Sequence, residues 1–277
     1  VNVNTTPPVA NAGSSLTLNC YNTSGTIGTA AVAGVLYSWA PATGLNNINS
    51  AQPIADPSIT TTYTVTATSS NGCTSSSTVL VNVNNAAPVA DAGVNKQINC
   101  SVLSTIIGST SISGNTYVWS PANGLSSIII AQPTANPTTT TTYTVSVTNS
   151  STGCSATSSM TVNVDTTPPL ADAGLNQNLN CTTTSAMIGS ASVVGINYNW
   201  NPSSALSASN IAQPIANPSA TTSYTVIATS ANGCTATDVV VVNVDHTLPI
   251  ANAGSNLNLN CSITSGILGT TAISGNS

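Results

Sequence analysis

The stretch that decides the fold is Tyr224-Thr225-Val226-Ile227-Ala228-Thr229-Ser230-Ala231-Asn232-Gly233-Cys234-Thr235-Ala236-Thr237-Asp238-Val239-Val240-Val241-Val242-Asn243-Val244. Tyr224, Val226 and Ala228 alternate along the first half, and Val240, Val242 and Val244 alternate along the second. Asn232-Gly233 stands between them, and Asn-Gly flanked by alternating apolar residues is the strongest short-range sign of a β-hairpin. Asn71-Gly72 repeats the signal, and Thr152-Gly153 varies it with one residue added nearby.

Working outward, the whole chain repeats. Cys20, Cys100, Cys181 and Cys261 each follow Asn, at spacings of 80, 81 and 80 residues. Trp39, Trp119 and Trp200 keep spacings of 80 and 81, as do Tyr63, Tyr143 and Tyr224. A fixed period of this size marks a tandem array. Val1-Asn2-Val3 matches Val81-Asn82-Val83, Val162-Asn163-Val164 and Val242-Asn243-Val244. The expected division is therefore 1–6 as the last strand of a preceding repeat, 7–84, 85–165 and 166–245 as full repeats, and 246–277 as part of a fourth. The chain is expected to be a segment of a longer array.

Each repeat reads as β throughout. In the third, Pro168-Pro169 gives a stiff entry without backbone donors. Leu175 to Cys181 alternates, with Leu179 and Cys181 on one face. Ile196, Tyr198 and Trp200 alternate as a central strand that ends at Pro202. Ala212 to Pro218 can only be edge strand or loop, because its prolines cannot donate to a ladder. With no capped helical pattern, the expected class is all-β, a tandem array of immunoglobulin-like antiparallel β-sandwich domains of about 80 residues. Trp39, Trp119, Trp200, Tyr63, Tyr143 and Tyr224 fall on predicted inner faces and are expected in the cores.

The two cysteines of each full repeat stand 53 or 54 residues apart. The spacing predicts the bridges Cys20–Cys73, Cys100–Cys154 and Cys181–Cys234, tying the hairpin tip to the end of an early strand. Cys261 is expected to pair about 53 residues further on, outside these 277. A bridge of this span stabilises by about 4 kcal/mol in the chain-entropy model, which matters to a domain of only about 80 residues. It also places the chain in an oxidising, extracellular setting. Metal ligation by these cysteines is not expected, since no Cys-x-x-Cys spacing occurs and His246 is the single histidine.

Composition excludes several classes. Charged residues make up 3% of the chain, against roughly 25% in ordinary soluble proteins. Lys96 is the sole cation among Lys and Arg, so phosphates of nucleic acids and anionic lipid surfaces meet nothing that neutralises them. No apolar run reaches the 18 or so residues of a membrane span. One His and one Lys cannot furnish a recurring catalytic site, so no enzyme and no cofactor is expected. A net charge of -5 over this length resists association weakly, and copies of the chain are the expected partners. The junction pairs Asn4 and Asn11, Asn84 and Asp91, Asp165 and Asp172, and Asp245 and Asn252 offer oxygens for Ca²⁺ or, as the plainer reading, caps for turns.

Pro168 to Gly174, Trp119-Ser120-Pro121-Ala122-Asn123-Gly124-Leu125, Thr140 to Val145 and Asn232 to Asp238 resemble PKD-like repeats over the whole chain. Such repeats occur in very large secreted and surface proteins of gliding and related bacteria, many of them adhesins or gliding-associated proteins exported by the type IX system. The resemblance implies a non-catalytic surface protein. Asp165-Thr166-Thr167 looks like the Asp-Thr-X acceptor of O-glycans in such bacteria, which makes Thr166 the candidate glycosylation site. The resulting expectation is a structural segment of a long extracellular fibre or cell-surface appendage. The alternative is the stalk of a surface adhesin whose binding tip lies elsewhere.

Overall fold

The computed structural model describes residues 5–269 and 271. The strand expected at Val1-Asn2-Val3 and the last residues of the partial fourth repeat lie outside these. The chain packs as two units, Val1–Asp165 and Thr166–Ser277.

The first unit holds two copies of one six-strand pattern. The first copy comprises β1 (Leu16–Asn19), β2 (Gly25–Thr26), β3 (Val35–Ala40), β4 (Ile54–Ala55), β5 (Thr61–Ser69) and β6 (Thr74–Asn84). The second comprises β7 (Lys96–Asn99), β8 (Thr105–Ile106), β9 (Asn115–Ser120), β10 (Thr134–Ala135), β11 (Thr141–Asn149) and β12 (Ser155–Asp165). The second unit repeats the pattern once, as β13 (Gln177–Asn180), β14 (Ala186–Met187), β15 (Ile196–Asn201), β16 (Ile215–Ala216), β17 (Thr222–Ser230) and β18 (Thr235–Asp245). The described residues contain strands and no helix. The fold is a tandem series of immunoglobulin-like β repeats.

In each copy a four-stranded sheet, ordered β1-β6-β5-β3 in the first, is accompanied by a two-stranded ribbon, β2-β4. The hairpins read from the sequence are present: Tyr224 faces Val240 and Val226 faces Asp238 across β17 and β18. The ribbon is short for the reason the prolines give. Pro53 and Pro57 bracket β4 and cannot donate to a ladder, so pairing stops after Ile54 and Ala55.

Two features differ from the sequence expectation. The repeats are not wholly antiparallel, because β1 runs parallel to β6, with Leu16 opposite Val81 and Asn19 opposite Asn84. The Trp-bearing strand is also an edge: β3, β9 and β15 each pair on one side only, with β5, β11 and β17. Its far side is used by a loop instead, since Trp39 N donates to Ile48 O and Trp119 N to Ile128 O.

The cores are built alike. Trp39, Trp119 and Trp200 are each 2% exposed, and Tyr63, Tyr143 and Tyr224 are fully buried. Each indole Nε1 donates to a loop carbonyl, of Ser50, Ile130 and Ile211 in turn. Each phenol donates to a carbonyl twenty residues upstream, of Thr43, Asn123 and Ser204. A buried aromatic with its polar atom satisfied contributes its full apolar area. One glycine per repeat closes against the indole. A Cβ on Gly28 would lie 2.2 Å from Ala51 O and 3.0 Å from Trp39 Cζ2, and φ there is +82°.

Candidate functional site

The geometry that matters starts from the parallel strand. β1 ends at Asn19 opposite Asn84, so Cys20 sits where β6 leaves the repeat. Cys73 stands just before Thr74, where β6 begins. The 11 residues of β6 therefore separate the two cysteines, a span of about 35 Å at the rise of a strand. A disulfide needs Cα atoms within about 7 Å. The expected Cys20–Cys73 bridge is thus ruled out. The same topology places Cys100 and Cys154 at opposite ends of β12, and Cys181 and Cys234 at opposite ends of β18.

The observed bridge crosses between repeats. Cys20 of the first is bonded to Cys154 of the second, with Cα atoms 5.0 Å apart and a sequence separation of 134. This corrects both Cys20–Cys73 and Cys100–Cys154. Cys181 is a free, exposed thiol, which corrects Cys181–Cys234; Cys73 and Cys261 are free as well. Cys100 and Cys234 are disulfide-bonded. They stand one period beyond Cys20 and Cys154, at 80 residues in each case. The bond joins a hairpin tip to the end of an early strand, but the two belong to different repeats and not, as the spacing predicted, to one.

Several contacts converge on the bridge. Tyr21 N donates to Thr152 O at 3.2 Å. The Tyr21 ring lies against Gly153, where an added Cβ would come within 2.6 Å of the ring. Cys154 Sγ is 3.7 Å from Asn84 O, at the exit of β6. The residue inserted in this turn is accommodated by Asn149, whose Oδ1 accepts from the backbone N of Ser151 and of Thr152. Thr152 is 9% exposed, a buried polar residue in the joint. The arrangement can hold the hairpin tip of one repeat against the exit end of the repeat before it.

The remaining candidates fall elsewhere. The junction Asn and Asp residues cap turns: Asn11, Asp91, Asp172 and Asn252 each accept through Oδ1 from the backbone N of a glycine two residues on. Asp245 accepts from both N and Oγ1 of Thr247, and these bonds hold its carboxyl below the usual value. Among the described residues no three His, Cys, Asp or Glu side chains cluster as metal ligands. Thr166 is exposed and lies just past β12, outside any strand. Open grooves of 440 and 430 Å³ recur beside Tyr117 and Tyr198, and their linings contain no Asp, His or Lys. Cys181 borders a cleft of 290 Å³ with Asp245, Thr247 and Pro249.

No protein-family model and no curated protein matches the chain. Among solved structures it is similar to an I-band fragment from titin at 14% identity and a TM-score of 0.45, over 87% of this chain and 99% of that one. It is similar to a segment of mouse Cadherin-23 at 11% identity and a TM-score of 0.40, over 86% of this chain and 96% of that one. The extracellular domains 3–5 of Drosophila OTK align at 9% identity and a TM-score of 0.33, over 88% of this chain and all of that one.

Proposed function

We propose that the chain is a non-catalytic structural segment of an extracellular fibre or cell-surface appendage, of the kind its PKD-like sequence resembles in gliding bacteria. The observation that carries this reading is the Cys20–Cys154 bridge, which places a covalent bond at the joint between repeats rather than inside either core. Each repeat already has a satisfied aromatic core, so the bond serves connection. Disulfide chemistry suits a protein outside the reducing cytosol.

Self-assembly with other copies is supported by surface chemistry. Val9, Val89, Leu170 and Ile250 recur with the period at the repeat entrances and are 83%, 75%, 83% and 76% exposed. With so few charges, nothing strong opposes their burial between copies. Glycans on Thr166 would add solubility without charge. The adhesin stalk is the second reading, since a covalently joined series of repeats also suits a spacer.

Negative-stain electron microscopy of the native material separates them. Ordered filaments wider than one repeat, with a regular axial register, are expected. Single beaded strings ending in a distinct tip would replace the fibre by the stalk.

A further inference from the structure

We propose that the Cys20–Cys154 bridge is a load bypass that carries tension around residues 21 to 153 of the first two repeats instead of through them. The inference rests on the structural reading above and follows from connectivity. Tension applied ahead of β1 runs along Leu16–Asn19 to Cys20, crosses the sulfur pair to Cys154 and leaves along β12. Everything from residue 21 to 153 lies inside a closed covalent ring. That ring contains β2 to β6, β7 to β11, and the buried side chains Trp39, Tyr63, Trp119 and Tyr143. Unfolding of either core inside the ring adds no length between its two sulfur-bearing residues.

A bridge inside one repeat could not do this for the joint. It would leave the linker from Asn84 to Lys96 as the one covalent connection between neighbouring repeats, and force would have to pass through it. The staggered bond adds a second connection that spans the linker. The joint is also packed to keep that connection short: Tyr21 N bonds Thr152 O, and the Tyr21 ring covers Gly153. The two positions one period further on, Cys100 and Cys234, are both disulfide-bonded as well.

The test is force spectroscopy on the full chain, held at its N-terminus and at a handle inserted at Thr166, which is exposed and outside any strand. With the bridge closed, stretching should release only the residues outside the ring. Reduction should add about 45 nm, the sequence separation of 134 at about 3.4 Å per extended residue. A second handle at Asn85, between β6 and β7, controls for connectivity. From there the bridge offers no shorter path, so reduction should add nothing. Equal released lengths at Thr166 with and without reductant would overturn the bypass, as would a gain of about 18 nm at Asn85, the mark of a bond within the first repeat. Neither outcome depends on whether the native material forms filaments. The imaging result and this one therefore fail separately.

Discussion

Cys73 and Cys154 occupy the same place in their repeats, directly after the hairpin glycine and directly before the last strand, yet Cys154 is bonded and buried while Cys73 is a half-buried free thiol. The turns that present them also differ. Asn71 reaches back from its turn, Nδ2 donating to Thr6 O of its own repeat's entrance. The turn before Cys154 is one residue longer, and its Thr152 carbonyl is taken by Tyr21 of the preceding repeat. The insertion is not what makes the bond, because Cys234 follows a turn as short as that of Cys73 and is disulfide-bonded and 2% exposed. Cys154 is bonded to a cysteine of the neighbouring repeat, whereas Cys73, at the same place in its own repeat, is a free thiol.

The sharpest way to break this comparison uses the near absence of charge. Lys96 is the sole Lys or Arg, it is exposed, and it lies between Cys20 and Cys154. A lysine-specific protease should cut the chain into 1–96 and 97–277. Without reductant the halves should stay joined on a denaturing gel, and with reductant they should part. Bridges confined within repeats would let them part in both lanes. Cys20→Ser should release the halves unreduced, whereas Cys73→Ser should leave them joined.

The cores, which all three repeats share, should respond alike where the joint does not. Burial raises the pKa of Tyr63 above its ordinary value near 10, and the charge of Asp56 adds to it. Burial raises Tyr143, partly opposed by its bond with Thr141, and burial raises Tyr224. A folded pKa above the unfolded one gives stability that is whole below pH 10 or so and is lost as pH rises through the folded pKa. Circular dichroism against pH should therefore show a steep alkaline loss starting near pH 10, present in oxidised and reduced protein alike. An alkaline limb that vanished with Cys20→Ser would tie the tyrosines to the joint and undo the separation of core from connection.

Much of this was legible in the sequence, and the part that was not has one physical origin. Alternation and Asn-Gly placed the hairpins, because side chains on a strand change face every residue. Period and aromatic spacing gave the repeat and its core. The direction of the first strand could not be read. Leu175 to Cys181 alternates equally well whether it pairs parallel or antiparallel, and pairing decides at which end of the sandwich Cys181 emerges. A parallel partner carries it to the exit end, away from the hairpin tip of its own repeat. The one available sign was unobtrusive: Tyr21, a large exposed aromatic directly after Cys20, where the other repeats have Ser101, Thr182 and Ser262. In the structure that ring, still 64% exposed, rests against Gly153 of the following repeat.

That ring also supplies the finest test of the comparison, through the two hairpin glycines. Gly72 and Gly153 both take positive φ, +82° and +72°. Replacing either by alanine incurs the cost of an L-residue in that region, about 1 kcal/mol. At Gly72 an added Cβ meets nothing within 4 Å, so the cost should end there. At Gly153 the Cβ would fall 2.6 Å from the Tyr21 ring and within 2.7 Å of both flanking ring carbons. The ring must then swing off the joint, losing part of its packing, for a further cost of about 1 to 2 kcal/mol. Urea unfolding should thus rank Gly153→Ala below Gly72→Ala. In the Tyr21→Ala background the obstacle is gone, and the two substitutions should become equal within about 0.5 kcal/mol. Equal costs with Tyr21 in place would mean that the ring does not rest on the neighbouring turn, and that the joint is held by the sulfur bond, the linker and the Tyr21 N to Thr152 O hydrogen bond without it.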